Sequence, residues 1–427
     1  MNFRLPYLNN RERISFVSLT ISQKIIAAKC GRDQVTPGEI VHVEPDLVML
    51  YDWPGFDGLM KNINIDPDRV ALNIDHYFSP PNEQIAKLHR NFRSTVKKFG
   101  IKKFYDVGKT GIGFQLYAEE GLILPGTFVA HADPHVSTLG AFGAYCLGIG
   151  SDVISIFLTG KAWIKVPETI RINIHGSFGR HVTSRDLFEK IVADIGPDGA
   201  QGKVIEFSGP GLAGMSMESR MVLCNSVQYL SAETAIIPPD EITRAYLSGK
   251  TKEPWQEVLG DEDASYSEVL DYDLSTLEPM VVTPPDVFYI KTVQEVAGTK
   301  IDQAIIGTCA GGRMEDLRIA AAILKDHPVA PGVRFMITPI TPAIMADASR
   351  EGLIEIFVKA GALVGPPSCG TCYGGLAQML PGEVCISTGT MNVPGRLGST
   401  EADIYMANPA VVTASAVCGK ITDPRSL

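Results

Sequence analysis

Short apolar runs alternate with amphipathic stretches along most of the chain. Residues 70–74, 104–107, 127–131 and 152–159 are apolar without strict alternation, the pattern of strands buried on both faces. Between them, residues 83–100 carry a helical pattern that closes on Gly100. A further strand is expected at 170–174, followed by a Gly/Pro-rich stretch at 208–214. Towards the C-terminus, 303–308, 334–338, 362–364 and 383–388 read as strands. Helices are expected at 314–325 and at 351–360, the latter capped by Gly361. Strands that alternate with helices predict the α/β class, with parallel, doubly wound sheets.

At 427 residues the chain is too long for one ordinary core, so several domains are expected. The boundaries fall as an N-terminal extension at 1–20, a first α/β/α domain at 21–166 and a second at 167–250. An acidic, proline-bearing linker follows at 251–286, and a third α/β/α domain occupies 287–427. The net charge of −10, with no basic block, argues against a nucleic-acid surface. No apolar run reaches the roughly 18 residues of a membrane span. Eight cysteines scattered without a framework fit a reducing cytoplasm. Arg4, Arg11 and Arg13 occur before any proper apolar signal region, which leaves a weak leader or an early start codon as readings of the extension.

Chemistry-bearing residues cluster just past the ends of the expected strands. Asp75-His76 follows 70–74, Asp133-Pro134-His135 follows 127–131, Cys309 follows 303–308, and Cys369 and Cys372 follow 362–364. The segment 388–396, ending in Arg396, follows 383–388. Open parallel sheets bind ligands at the carboxyl ends of their strands, so these loops are expected to converge on one cleft. Three thiolates from two loops suit a four-iron cluster with one iron left without a protein ligand. Spacing alone leaves open a CxxC redox pair beside an unrelated buried cysteine. Glu206 is a charge inside an apolar run, either an exposed strand residue or a buried acid.

Taken jointly, these segments resemble the aconitase superfamily, most closely its 3-isopropylmalate dehydratase large-subunit branch. The matches are Ile74-Asp75-His76, His131 to His135, the segment 159–167, Glu206-Phe207-Ser208-Gly209, Gly307 to Arg318, Gly365 to Cys372, and Pro394-Gly395-Arg396. The resemblance implies three α/β/α domains with mostly parallel sheets around one [4Fe–4S] cluster per subunit, held by Cys309, Cys369 and Cys372. It implies a hydro-lyase that dehydrates and rehydrates a 2-hydroxy-dicarboxylate, as in the conversion of 2-isopropylmalate to 3-isopropylmalate in leucine biosynthesis. His76, paired with Asp75, would be the proton donor. Asp133, His135 and Glu206 would surround the reacting water, and Arg396 would anchor a carboxylate. The family's carbon base sits on a swivelling fourth domain, for which this chain leaves no room, so a separate small subunit is expected as partner.

Several positions depart from the family pattern. Ala310-Gly311 replaces a Thr-Asn pair, Pro134 and Val136 alter the histidine loop, Phe114 replaces a histidine, and Met391 replaces a carboxylate-binding arginine. Ligands survive while substrate-facing groups change. That favours a paralogue for a substituted malate, of dimethylmalate or homoaconitate type, as the alternative activity. A non-catalytic, cluster-carrying sensor or binding protein is the reading from another class.

Overall fold

The computed structural model describes residues 18–53 and 63–427; the N-terminal arginines lie outside the described residues. The first sheet has five strands, all parallel, in the spatial order Lys103–Tyr105, Val70–Asn73, Leu47–Tyr51, Phe128–His131, Tyr145–Gly148. Its central strands are buried along nearly their whole length, which is why they read as unbroken apolar runs. The chain leaves Leu47–Tyr51 in one direction for two strands, then returns to its other side with Phe128–His131. The order therefore reverses between these two strands, and a crevice opens there at their carboxyl ends.

A second parallel sheet holds four strands in the order Thr234–Ile236, Lys203–Ser208, Glu168–His175, Glu268–Asp273. The third has seven strands. Its parallel part runs Asp403–Ala407, Val384–Ser387, Gln303–Ile306, Arg334–Ile337, Leu363–Val364. Met280–Val282 and Ile290–Thr292 add antiparallel strands on one edge. Here the order reverses between Val384–Ser387 and Gln303–Ile306, giving a second crevice. Helices such as Glu83–Phe99 and Met314–Leu324 connect neighbouring parallel strands, which need such a crossover. Among the described residues, no helix is long and apolar enough to cross a membrane.

Two expectations are corrected. Residues Val153–Thr159 form a helix, not a strand. Val153, Ile156 and Phe157 are the buried positions, a helical spacing, and Gly160 closes the helix in the left-handed region at φ 74°. The stretch 251–286 is also more than a linker. Glu268–Asp273 pairs along its full length with Glu168–His175, and Met280–Val282 joins the third sheet. Its acidic side chains fit an edge strand with exposed positions, so charge alone did not mark it as a connection.

Candidate active site

The two crevices face one another across a cavity of about 180 Å³. Asp75, His76, His131, Asp133 and His135 reach it from the first sheet; Cys309, Cys369, Cys372 and Arg396 reach it from the third. The strand-end rule read from the sequence thus brings eight of the nine expected site residues together. Glu206 is the exception. It is buried elsewhere, where its carboxylate accepts the Ser22 amide at 2.9 Å and lies 3.5 Å from the Tyr266 hydroxyl. It caps the start of the helix Ile21–Lys29 from a neighbouring strand, a favourable place for an acid next to unpaired amides. An apolar run with one acid does not reveal which helix end that acid serves.

Asp52 organises the His76 loop, and its role was not read from the sequence. Its carboxylate accepts the amides of Asp75, His76 and Tyr77, each at 2.9 Å, with buried His89 3.4 Å away. It too follows directly on a strand end, at Leu47–Tyr51, and that position was the available signal. Asp75 meets His76 Nδ1 at 2.6 Å through one oxygen and accepts the Gly113 amide at 3.1 Å through the other. Burial works to lower the His76 pKa, but the adjoining carboxylate outweighs it and pushes it up to about 9. The imidazole is therefore protonated at neutral pH, and Nε2 is the nitrogen left to face the cavity.

The second pair is built differently. His135 Nδ1 lies 2.8 Å from Asp133 Oδ1, which also accepts the His135 amide at 2.8 Å. Burial works against the Asp133 anion, yet His135 and these bonds hold it well below the usual carboxylate range. His135 Nε2 is buried and has no partner among the described residues. Burial pulls His131 down to about 4, and its Nδ1 accepts the Asp133 amide at 2.7 Å, so it is a neutral spacer.

Local backbone geometry presents the thiols. Thr308 adopts φ 72°, unusual for a β-branched residue, so the chain turns sharply to bring Cys309 into the cavity. Arg313, fully buried, donates to the Cys309 carbonyl at 2.9 Å. The Cys369 amide donates to the Asp75 carbonyl at 2.8 Å, and the Tyr373 hydroxyl donates to the His76 carbonyl at 2.7 Å, which ties the CxxC loop to the His76 loop. Arg396 donates through Nε to the Cys372 carbonyl at 2.7 Å and through Nη2 to its sulfur at 2.9 Å. Cys369 hydrogen-bonds Cys372, and together with Arg396 this favours the thiolate at Cys372 against burial. Burial pushes the Cys309 thiol up.

This donor set fits an iron–sulfur cluster. Three buried cysteines line one cavity with a guanidinium on one thiolate and an orphaned imidazole nitrogen nearby. Among the described residues, the group with the close spacing of a single-ion site is Asp52, Asp75 and His76, within 4.8 Å; the cysteines do not form one. Three thiol donors without a fourth protein ligand beside them suit a cluster of several irons with one iron left open. The remaining cysteines are free, with Cys146, Cys224 and Cys385 buried and Cys30 and Cys418 partly exposed. Phe114 and Met391, the two departures expected to face substrate, both line the cavity.

The chain belongs to the aconitase family: the family model described as "Aconitase family (aconitate hydratase)" matches residues 58–294 and 286–419. Enzymes of this family use an iron–sulfur cluster. Within it, the chain is 42% identical over 419 residues to the probable 3-isopropylmalate dehydratase large subunit of Methanothermobacter thermautotrophicus, covering 96% of this chain and 100% of the relative. It is 40% identical over 419 residues to the 3-isopropylmalate dehydratase large subunit of Thermodesulfovibrio yellowstonii, with the same coverage. Identity to the 3-isopropylmalate dehydratase large subunit 1 of Pyrococcus furiosus is 39%, covering 96% of this chain and 99% of that one.

Proposed function

We propose that the chain is the large subunit of an iron–sulfur hydro-lyase of the 3-isopropylmalate dehydratase type, interconverting 2- and 3-isopropylmalate through the unsaturated acid. The observation that carries this reading is the meeting of Cys309, Cys369 and Cys372 with the Asp75–His76 pair in one cavity. A [4Fe–4S] cluster held by those cysteines, one per chain, supplies a Lewis acid for the substrate hydroxyl and carboxylate.

The residues of the chain do the remaining work. His76 Nε2 gives its proton to the departing hydroxyl as the C–O bond breaks, so water leaves and a C=C bond forms. Asp75 keeps the imidazolium oriented and charged. Asp133 fixes His135 so that Nε2 points to a hydrogen-bond partner on the reacting oxygen. Arg396 holds a substrate carboxylate through Nη1, its other nitrogens being engaged by Cys372. The base that takes the carbon-bound proton comes from a small subunit carrying the swivelling domain; the relatives' designation as large subunits supports that partner. An oxygen-sensitive cluster and eight unpaired cysteines suit the cytoplasm.

A second reading within the same chemistry, a dehydratase for another substituted malate, is favoured by one observation: Phe114 and Met391 stand in the lining where polar anchors were expected. The test of both is anaerobic turnover by the chain assembled with its small subunit, over 2-isopropylmalate, dimethylmalate, homocitrate and citrate, following absorbance of the unsaturated acid. Turnover of none of them by the cluster-loaded pair refutes the hydro-lyase assignment and leaves the sensor reading.

A further inference from the structure

A second cavity, of about 110 Å³, shares no lining residue with the catalytic one. Cys309 lines the first and its neighbour Ala310 lines the second, so the two lie on either side of one loop. Four helices begin around the second cavity. Ser184–Ile195, Met217–Asn225, Met314–Leu324 and Pro409–Cys418 each give it a residue of their first turn. Helix starts favour a negative group. Two guanidiniums belong to the same lining: Arg313 is fully buried and Arg185 is 5% exposed. Arg313 Nη1 and Arg185 Nε have no partner among the described residues. A buried N–H without an acceptor is costly, and a carboxylate entering here supplies one.

A bare anion does not suit the rest of the lining, where Glu218, Glu315 and Asp316 add three carboxylates. Burial raises Glu218 from its ordinary value and pushes Asp316 up to about 7, so a cation beside them gains what water does not supply. Phe178, Val182, Val222 and Ile319 make the remaining wall apolar. Glu315 is exposed, and Phe178, Val222 and Ile319 are partly so, which gives the cavity an entrance. A ligand with a carboxylate, an ammonium and an apolar side chain matches all three parts. Both guanidiniums also reach the cysteine loop. Arg313 Nη2 donates to the Cys309 carbonyl, and Arg185 Nη1 donates to the carbonyl of Thr388, whose hydroxyl is bonded to the Gly307 amide and carbonyl.

We propose that this cavity binds a small α-amino acid with an apolar side chain, its carboxylate on Arg185 and Arg313 and its ammonium on Glu218 and Asp316, and that the bound amino acid steadies the Cys309 loop. The site stands apart from the hydro-lyase reading above; only its effect on the cluster draws on that reading. Held between two guanidiniums and two carboxylates, the ligand links the starts of Ser184–Ile195, Met217–Asn225 and Met314–Leu324. Val222 offers a way to block it, because its side chain is partly exposed at the entrance and makes no hydrogen bond.

Calorimetric titration of the assembled, cluster-loaded enzyme with valine and with leucine tests the site. The controls are isovalerate and isocaproate, which lack the ammonium, and isobutylamine and isoamylamine, which lack the carboxylate. At least one amino acid should bind at millimolar concentration or below, and its two controls should bind at least about tenfold more weakly, the scale of a charged group left unpaired. Val222→Phe, which fills the cavity, should abolish binding, and Glu218→Gln should weaken it by about tenfold, the loss of one charged partner. At saturation the amino acid should slow the loss of iron to a chelator at least about fivefold in the parent, the low end of ordinary coupling between two sites, and not in Val222→Phe. No binding of either amino acid, controls that bind as tightly, or parent-like binding in both variants overturns the site. Binding with unchanged iron loss overturns the link to the Cys309 loop. The titration needs no turnover, so an enzyme inert on every hydroxy acid counts against the hydro-lyase reading alone.

Discussion

Alanine at Gly311 would put a methyl group where the Cys309 loop has no room. Its Cβ would lie 2.3 Å from Thr388 Oγ1, 2.7 Å from Thr388 Cβ and 2.8 Å from the Gly307 carbonyl. Thr388 is poorly able to yield. Its hydroxyl lies 3.0 Å from the Gly307 amide, which donates to it, and itself donates to the Gly307 carbonyl at 2.9 Å. The Thr388 carbonyl accepts from Arg185 at 2.7 Å. Rotating Thr388 away forfeits bonds of about 1 kcal/mol each. Overpacking a closed site costs about 1–3 kcal/mol. With two such hydroxyl bonds the sum is about 3–5 kcal/mol, and the displaced segment is the one that carries Cys309. Gly311→Ala should therefore lower the melting temperature of the cluster-free chain and reduce the iron retained after anaerobic reconstitution. Adding Thr388→Gly removes two of the three contacts, those with Oγ1 and Cβ, and should recover part of the iron. Parent-level melting temperature and iron in Gly311→Ala would refute the reasoning, because the loop would then have slack that this geometry excludes.

Glu206→Ala should destabilise the fold by about 1 kcal/mol, the cost of a lost helix cap, read as a lower melting temperature, with turnover per loaded cluster close to the parent's. A loss of turnover by orders of magnitude would return Glu206 to the chemistry. His76→Ala should keep its iron and lose about 100- to 10,000-fold in dehydration rate, the scale of a general acid; parent-level turnover would move the donor role to His135. The folded chain holds the His76 proton up to about pH 9, from an ordinary value of 6.5. The pair's stabilisation is thus full below about pH 6.5 and fades as pH rises to about 9, and dehydration should decline above about pH 9. A stability–pH curve equally steep in that window for His76→Ala contradicts the assignment. Met391→Arg, measured in the assembled pair, should shift preference towards more anionic acids; no shift would mean that Met391 does not touch substrate.

The strand-end positions of the site were legible because fully buried parallel strands leave long apolar runs, and the residue after each run is placed by the sheet itself. Gly100 and Gly361 marked helix ends correctly, since each closes its helix in the left-handed region, at φ 69° and 93°. Residues 153–159 were misread because a short, nearly continuous apolar run does not separate a buried strand from a helix buried at Val153, Ile156 and Phe157. Glu206 was misplaced for a different reason: its partner, the start of Ile21–Lys29, is distant in sequence and close only after two sheets have docked. Asp52 escaped notice because the strand before it was not identified, although it organises the His76 loop through three amides. Ring stacking around His76 has no sequence signature, because Tyr51 and Tyr373 are brought together by opposite crevices.

The central claim is that Cys309, Cys369 and Cys372 hold one iron–sulfur cluster beside His76. Iron and acid-labile sulfide, counted per chain after anaerobic reconstitution, test it most directly. The parent, Cys30→Ser and Cys418→Ser should each carry about four irons and four sulfides. Cys309→Ser, Cys369→Ser and Cys372→Ser should each lose most of both. Full iron in Cys309→Ser would contradict the account.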